Sequence, residues 1–114
     1  MSHTLTVKTP DGSFDAYVAM PATTPAPVVV VVQEIFGITE GIRAIADDLA
    51  RDGFIAVAPD LFWRFQPGIL LSEHSEADWK TAVGYYMKLD LGKAEEDIEA
   101  TVAAARALPE STGK

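Results

Sequence analysis

Five consecutive valines, Val28–Val32, constrain this chain more than any other stretch. An unbroken apolar run has no alternation between a wet and a dry face. It reads as a strand buried on both sides, the usual state of a parallel strand covered by helices. Pro21, Pro25 and Pro27 precede it in a loop where ring closure sets φ and removes backbone donors. After it, Gln33-Glu34-Ile35-Phe36-Gly37 leaves the strand abruptly. Ile42, Ile45, Ala46 and Leu49 then recur at helical spacing, with Thr39 as a candidate N-cap and Gly53 as a candidate stop. Phe54–Ala58 reads as a second buried strand, ended by Pro59-Asp60. Strand, helix and strand in that order imply a right-handed crossover between parallel neighbours.

The flanking segments complete the pattern. Thr4–Lys8 and Phe14–Met20 alternate on either side of Pro10-Asp11-Gly12, which predicts an antiparallel hairpin with Phe14, Ala16 and Val18 on one face. Leu61–Leu71 reads as an irregular, aromatic-rich loop. Trp79, Ala82, Val83 and Tyr86 mark an amphipathic helix capped near Ser75, and Leu89–Gly92 breaks that pattern. Ala94, Ile98, Val102 and Ala105 mark a last helix ending near Pro109. The predicted fold is α/β, an antiparallel hairpin leading into a mostly parallel sheet with flanking helices. After the last helix this rhythm calls for another buried strand. Two parallel core strands give three helical segments little sheet to cover. Residues 1–114 are therefore expected to be part of a single domain that is interrupted.

Charge and composition narrow the partners. The formal net charge is −8, from 17 acidic and 9 basic residues, which disfavours a nucleic-acid partner and offers no polybasic patch to an anionic membrane. No apolar run approaches the roughly 20 residues that span a bilayer, and the first residues lack the charged-then-apolar pattern of a secretory leader. A cytoplasmic protein is expected. With no cysteine, these residues can form neither a disulfide nor a thiolate metal site, and they hold no thiol nucleophile. His3, read as part of an N-terminal tail, and His74, in a polar stretch, have no partner at metal-ligand spacing. No glycine-rich phosphate cradle is present. Neither metal nor cofactor is expected.

The chemistry-bearing candidates cluster at strand ends. Glu34 and Ile35 follow a buried strand, where α/β sheets place their ligand sites. The Ile35 N–H, in a tight turn before a helix, could serve a developing oxyanion; the alternative is a turn whose glutamate is simply solvated. Gly37-Ile38-Thr39-Glu40-Gly41 has the spacing of a nucleophile elbow, but Gln33–Phe36 intervenes after the strand, so Thr39 is expected to cap a helix instead. Asp60 is a candidate cap for the turn that follows it. Phe62 and Trp63 either line an apolar pocket or pack their loop onto the domain. His74 is either a general base or a surface-loop histidine. Glu95-Glu96-Asp97 and Glu99 read as the first turn and solvated face of a helix.

Several segments together, in order, carry a family resemblance. They are Pro10-Asp11-Gly12, Pro25-Ala26-Pro27-Val28-Val29-Val30, Gln33-Glu34-Ile35-Phe36-Gly37, Gly53-Phe54-Ile55-Ala56-Val57-Ala58-Pro59-Asp60-Leu61, Asp97-Ile98-Glu99-Ala100 and Gly113-Lys114. The chain resembles the dienelactone hydrolase (carboxymethylenebutenolidase) family, over the N-terminal half of its α/β-hydrolase fold. The resemblance implies hydrolysis of a small-molecule ester or lactone by a Cys or Ser nucleophile with His and Asp. It implies that Glu34 controls the nucleophile's ionisation and that Ile35 supplies an oxyanion donor. Phe36, Phe62 and Trp63 are candidate pocket walls, and Lys80 stands near where the family's dienelactone enzymes carry a substrate-binding arginine. The family's strand and Gly-x-Cys-x-Gly-Gly elbow follow a Gly-Lys like Gly113-Lys114, so the nucleophile, Asp and His belong to a missing C-terminal half. Negligible turnover is expected of the 114 residues alone. The alternative is a non-catalytic α/β binding or dimerisation module that uses an exposed sheet edge.

Overall fold

The computed structural model describes residues 2–114. Its elements run β1 (Ser2–Thr9), β2 (Gly12–Ala19), β3 (Val28–Val30), α1 (Glu40–Arg51), β4 (Ile55–Pro59), α2 (Glu76–Lys88) and α3 (Leu91–Arg106). The four strands form one sheet in the order β1-β2-β4-β3. β1 and β2 make the expected hairpin, with Val7 opposite Phe14. β3 pairs parallel to β4, Val29 opposite Ala56, across the crossover through α1. β2 pairs antiparallel to β4, Val18 opposite Val57. The described sheet is thus mixed rather than mostly parallel, because the hairpin adds directly to β4.

Side-chain size divides the two faces. From β4, Ile55 and Val57 join Val7, Phe14, Ala16, Val18 and Ala105 beneath α3. Ala56 and Ala58 face the other way, beneath α1, with Ala19, Val31, Ile42, Ala46 and Ala50. Strand alternation sends successive residues to opposite faces. Small residues on the α1 side let that helix lie close to the sheet, while the branched residues fill the α3 side. Each fully buried Val or Ile contributes about 1.5–3 kcal/mol.

Helix boundaries follow local hydrogen bonding. The Thr39 hydroxyl accepts from the Ile42 N–H at the start of α1, as expected of a cap rather than a nucleophile, and the chain leaves the helix through Gly53 at φ 100°. Ser75 caps α2 by accepting from the Asp78 N–H. Asp90 caps α3 in the same way through Lys93, so the break read over Leu89–Gly92 is a tight junction with α3 already begun at Leu91. Replacing Thr39 with alanine is expected to cost about 1 kcal/mol, read as a lowered urea midpoint at unchanged m-value.

Three expectations need correction. The valine strand has three residues, not five, and all three are only half-buried, because β3 lies at the sheet edge with nothing among the described strands beyond it. Val32 is 53% exposed. His3 is not in a loose tail but pairs opposite Val18 in β1. Asp97 is not on a solvated helix face; it is 1% exposed. Alongside the start of β3, the C-terminal residues run parallel to it: Ala26 bridges Ser111, and the Val28 N–H donates to the Lys114 carbonyl at 2.7 Å.

Candidate active site

The Glu34–Gly37 turn stands at the C-terminal end of β3. Its Gly37 N–H donates back to the Glu34 carbonyl at 3.3 Å. Gly37 has φ 93°, and a β-carbon there would sit 2.0 Å from the Ile69 carbonyl oxygen. Only glycine allows the two backbones to approach so closely. Two further bonds join this turn to the 61–71 loop. The Leu71 N–H donates to the Phe36 carbonyl at 2.9 Å, and the Leu61 N–H donates to Gln33 Oε1 at 2.8 Å. Gln33 Nε2 also donates to the Glu34 carbonyl at 3.0 Å. Among the described residues, no backbone hydrogen bond outside the helices and strands involves the Ile35 N–H.

Glu34 and Phe36 line one open hollow of about 510 Å³ together with Thr39, Leu70, Leu71 and His74. The Glu34 side chain is solvent-exposed, whereas Phe36 is 7% exposed and meets the Trp79 ring edge-on at 4.9 Å. His74 is exposed and lies 3.9 Å from Glu73. The other candidates lie elsewhere. Phe62 is buried against Phe65 and Tyr85. Trp63 stacks on Phe14 at 5.5 Å, covers the hairpin turn at Gly12 and packs against the α3-side core. Lys80 lines a separate shallow hollow with Tyr85 and Lys88. Glu34 and Phe36 thus share this hollow, Ile35 lies between them in the chain but not among its lining residues, and Phe62, Trp63 and Lys80 lie away from it.

Two polar features exceed their sequence expectations: the buried pairing of Asp97, and the burial of Asp60, which the sequence marks only as a turn cap. Asp97, inside an acidic run, receives Arg64 Nε at 3.1 Å and Nη2 at 2.9 Å, and the Trp63 indole N–H at 2.9 Å. Arg64 extends to Asp11 at 2.8 Å, and Lys93 reaches the same carboxylate at 3.2 Å. The Asp97 hydrogen bonds are the largest influence holding the Arg64 guanidinium charged, raised above its already high value. The signal was positional: Asp97 shares a helical stripe with Ala94, Thr101 and Ala105, all buried. The second feature is Asp60, 7% exposed, whose Oδ2 accepts from the Gly68 N–H at 2.7 Å while Oδ1 has no partner. Burial pushes its carboxyl above the ordinary aspartate value; the Gly68 and Phe62 N–H groups oppose that shift and the charge of Asp15 adds to it. Among the described residues no His, Cys, Asp and Glu cluster could hold a metal ion, and no helix is long and apolar enough to cross a membrane.

A mixed sheet between helix layers, with a polar turn after a parallel strand, is an α/β architecture, a class whose ligand sites commonly lie at strand ends. The dienelactone hydrolase family profile matches residues 14–114. The chain belongs to the dienelactone hydrolase family. It is 45% identical over 84 residues to a protein of Azospirillum brasilense described as a carboxymethylenebutenolidase, covering 73% of this chain and 36% of that one. It is 40% identical over 103 residues to carboxymethylenebutenolidase 1 of Cupriavidus pinatubonensis, covering 90% and 44%. A solved structure described as a dienelactone hydrolase from Klebsiella pneumoniae superposes with TM-score 0.77 at 28% identity, covering 94% of this chain and 44% of that one. The fold is accordingly that of one half of an α/β-hydrolase, and the chain spans less than half the length of these relatives.

Proposed function

We propose that this chain is the oxyanion-hole half of a carboxylic-ester or lactone hydrolase of the dienelactone hydrolase type, and that the nucleophile, its His and its Asp lie in a C-terminal half outside these residues. The observation that carries this reading is the Ile35 N–H, unclaimed by the turn around it, at the end of a parallel strand in a member of this family. A backbone donor held by a glycine-tight turn needs no reorganisation when charge develops on a carbonyl oxygen. One such donor lowers the barrier by about 3 kcal/mol.

Glu34 has a second role in this reading. A carboxylate beside a thiol disfavours the thiolate by like charge, so Glu34 holds the nucleophile neutral until it moves or substrate arrives. Phe36, backed by Trp79, forms the apolar wall. The half-covered elements support the reading too. The β3 edge is open beyond Val28, and α2 presents Trp79, Val83, Tyr86 and Met87 to solvent along one stripe. A further strand and its helices would cover both.

The test is Glu34→Gln in this chain joined to the C-terminal half of the Cupriavidus pinatubonensis relative. Alkylation rate against pH is expected to show a thiol that ionises more readily in the variant, with at least about a tenfold larger thiolate fraction near neutral pH, and altered ester turnover. An unchanged thiol and an unchanged rate would sink the role assigned to Glu34.

A further inference from the structure

We propose that Asp60 is a positioning residue for the Glu34–Gly37 turn, acting by closing the 61–70 loop against it. The geometry is a chain of contacts. Asp60 Oδ2 accepts from the Gly68 N–H at 2.7 Å, so the far end of the loop is tied back to the residue that opens it. Gly68 leads directly into Ile69 and Leu70. The Ile69 carbonyl lies where a Gly37 β-carbon would be, Leu70 bridges Gly37, and the Leu71 N–H holds the Phe36 carbonyl. The Ile35 N–H therefore rests on a turn whose outer wall is set by Asp60, with Gln33 stitching the inner side to Leu61.

The cost of the arrangement supports a specific role. Asp60 is 7% exposed and leaves Oδ1 without a partner, beside the like charge of Asp15. Burying a carboxylate with one oxygen unsatisfied is unfavourable, and an apolar residue would fill the same space without that cost. What an apolar residue cannot do is accept the Gly68 N–H across the loop and so fix the loop's path. The inference rests on the oxyanion role proposed for the turn, but its test does not, because it is read on the chain without a nucleophile.

The experiment is amide hydrogen exchange and NMR on the 114-residue chain. Asp60→Ala is expected to speed exchange at Leu71 and Gly37 by about tenfold, to shift the Ile35 amide resonance, and to leave the sheet amides of Val31 and Ile55 within about twofold. Asp60→Asn, which keeps an acceptor oxygen, is expected to restore all of these. Asp60→Ser, polar but too short to reach Gly68, carries the test where the alanine variant does not fold, with the same expected changes at Leu71, Gly37 and Ile35. Unchanged exchange at Leu71 and Gly37, an equal rise at Val31 and Ile55, or failure of asparagine to restore them would each overturn the proposal.

Discussion

Replacing Asp97 with alanine is expected to destabilise the fold by about 3–5 kcal/mol, the range for removing one partner of a buried ion pair. Asp97 is 1% exposed and Arg64 keeps only 23% of its side-chain surface, so water cannot take over the lost bonds. The change strands the guanidinium fork and the Trp63 indole N–H together. It also frees α3 from the loop after β4, leaving Lys93–Asp11 as the remaining ion pair from α3 to the hairpin turn. Against a typical total of about 5–15 kcal/mol, this removes a large share of the stability. Urea denaturation checks this. Asp97→Asn keeps an acceptor for the indole and should cost less. A midpoint for Asp97→Ala within error of the parent would mean that the cluster contributes no net stability.

Gly37→Ala is the second large effect. The new methyl carbon would stand 2.0 Å from a backbone oxygen at φ 93°, and a backbone carbonyl cannot swing aside as a side chain can. Left-handed strain contributes about 1–3 kcal/mol and overpacking about 1–3 kcal/mol more. Either the Ile69–Leu70 segment or the turn must move. A displacement on the order of 1 Å at a reacting centre costs about 10²-fold in rate, so the variant in a completed hydrolase should lose turnover beyond what its stability loss explains. A fully folded Gly37→Ala protein with unshifted Ile35 and Leu71 amide resonances would contradict the tight-turn geometry.

Much of the architecture was legible because it rests on short-range signals. Thr39 and Ser75 declare their helices through capping, and Pro10-Asp11-Gly12 declares the hairpin. Sheet order was not legible. Nothing local in Val28–Val32 says that β3 is an edge strand, since a run of valines reads the same whether one or two neighbours cover it. The Glu34–Gly37 turn could be read because it interrupts an apolar strand with polar residues. Asp97 was hidden because three neighbouring acids, Glu95, Glu96 and Glu99, are exposed, and only its register on the buried stripe distinguishes it. The role of Asp60 depends on Gly68, eight residues away through an irregular loop, a relation with no periodicity to betray it.

The most direct test of the half-hydrolase assignment is hydrolysis of a p-nitrophenyl ester by the purified chain, alone and together with the C-terminal half of the Cupriavidus pinatubonensis relative. Expected is no saturable turnover from the chain alone, and saturable turnover from the pair that disappears when the nucleophile of the added half is replaced by alanine. Saturable hydrolysis by the chain alone, abolished by Glu34→Gln, would contradict it.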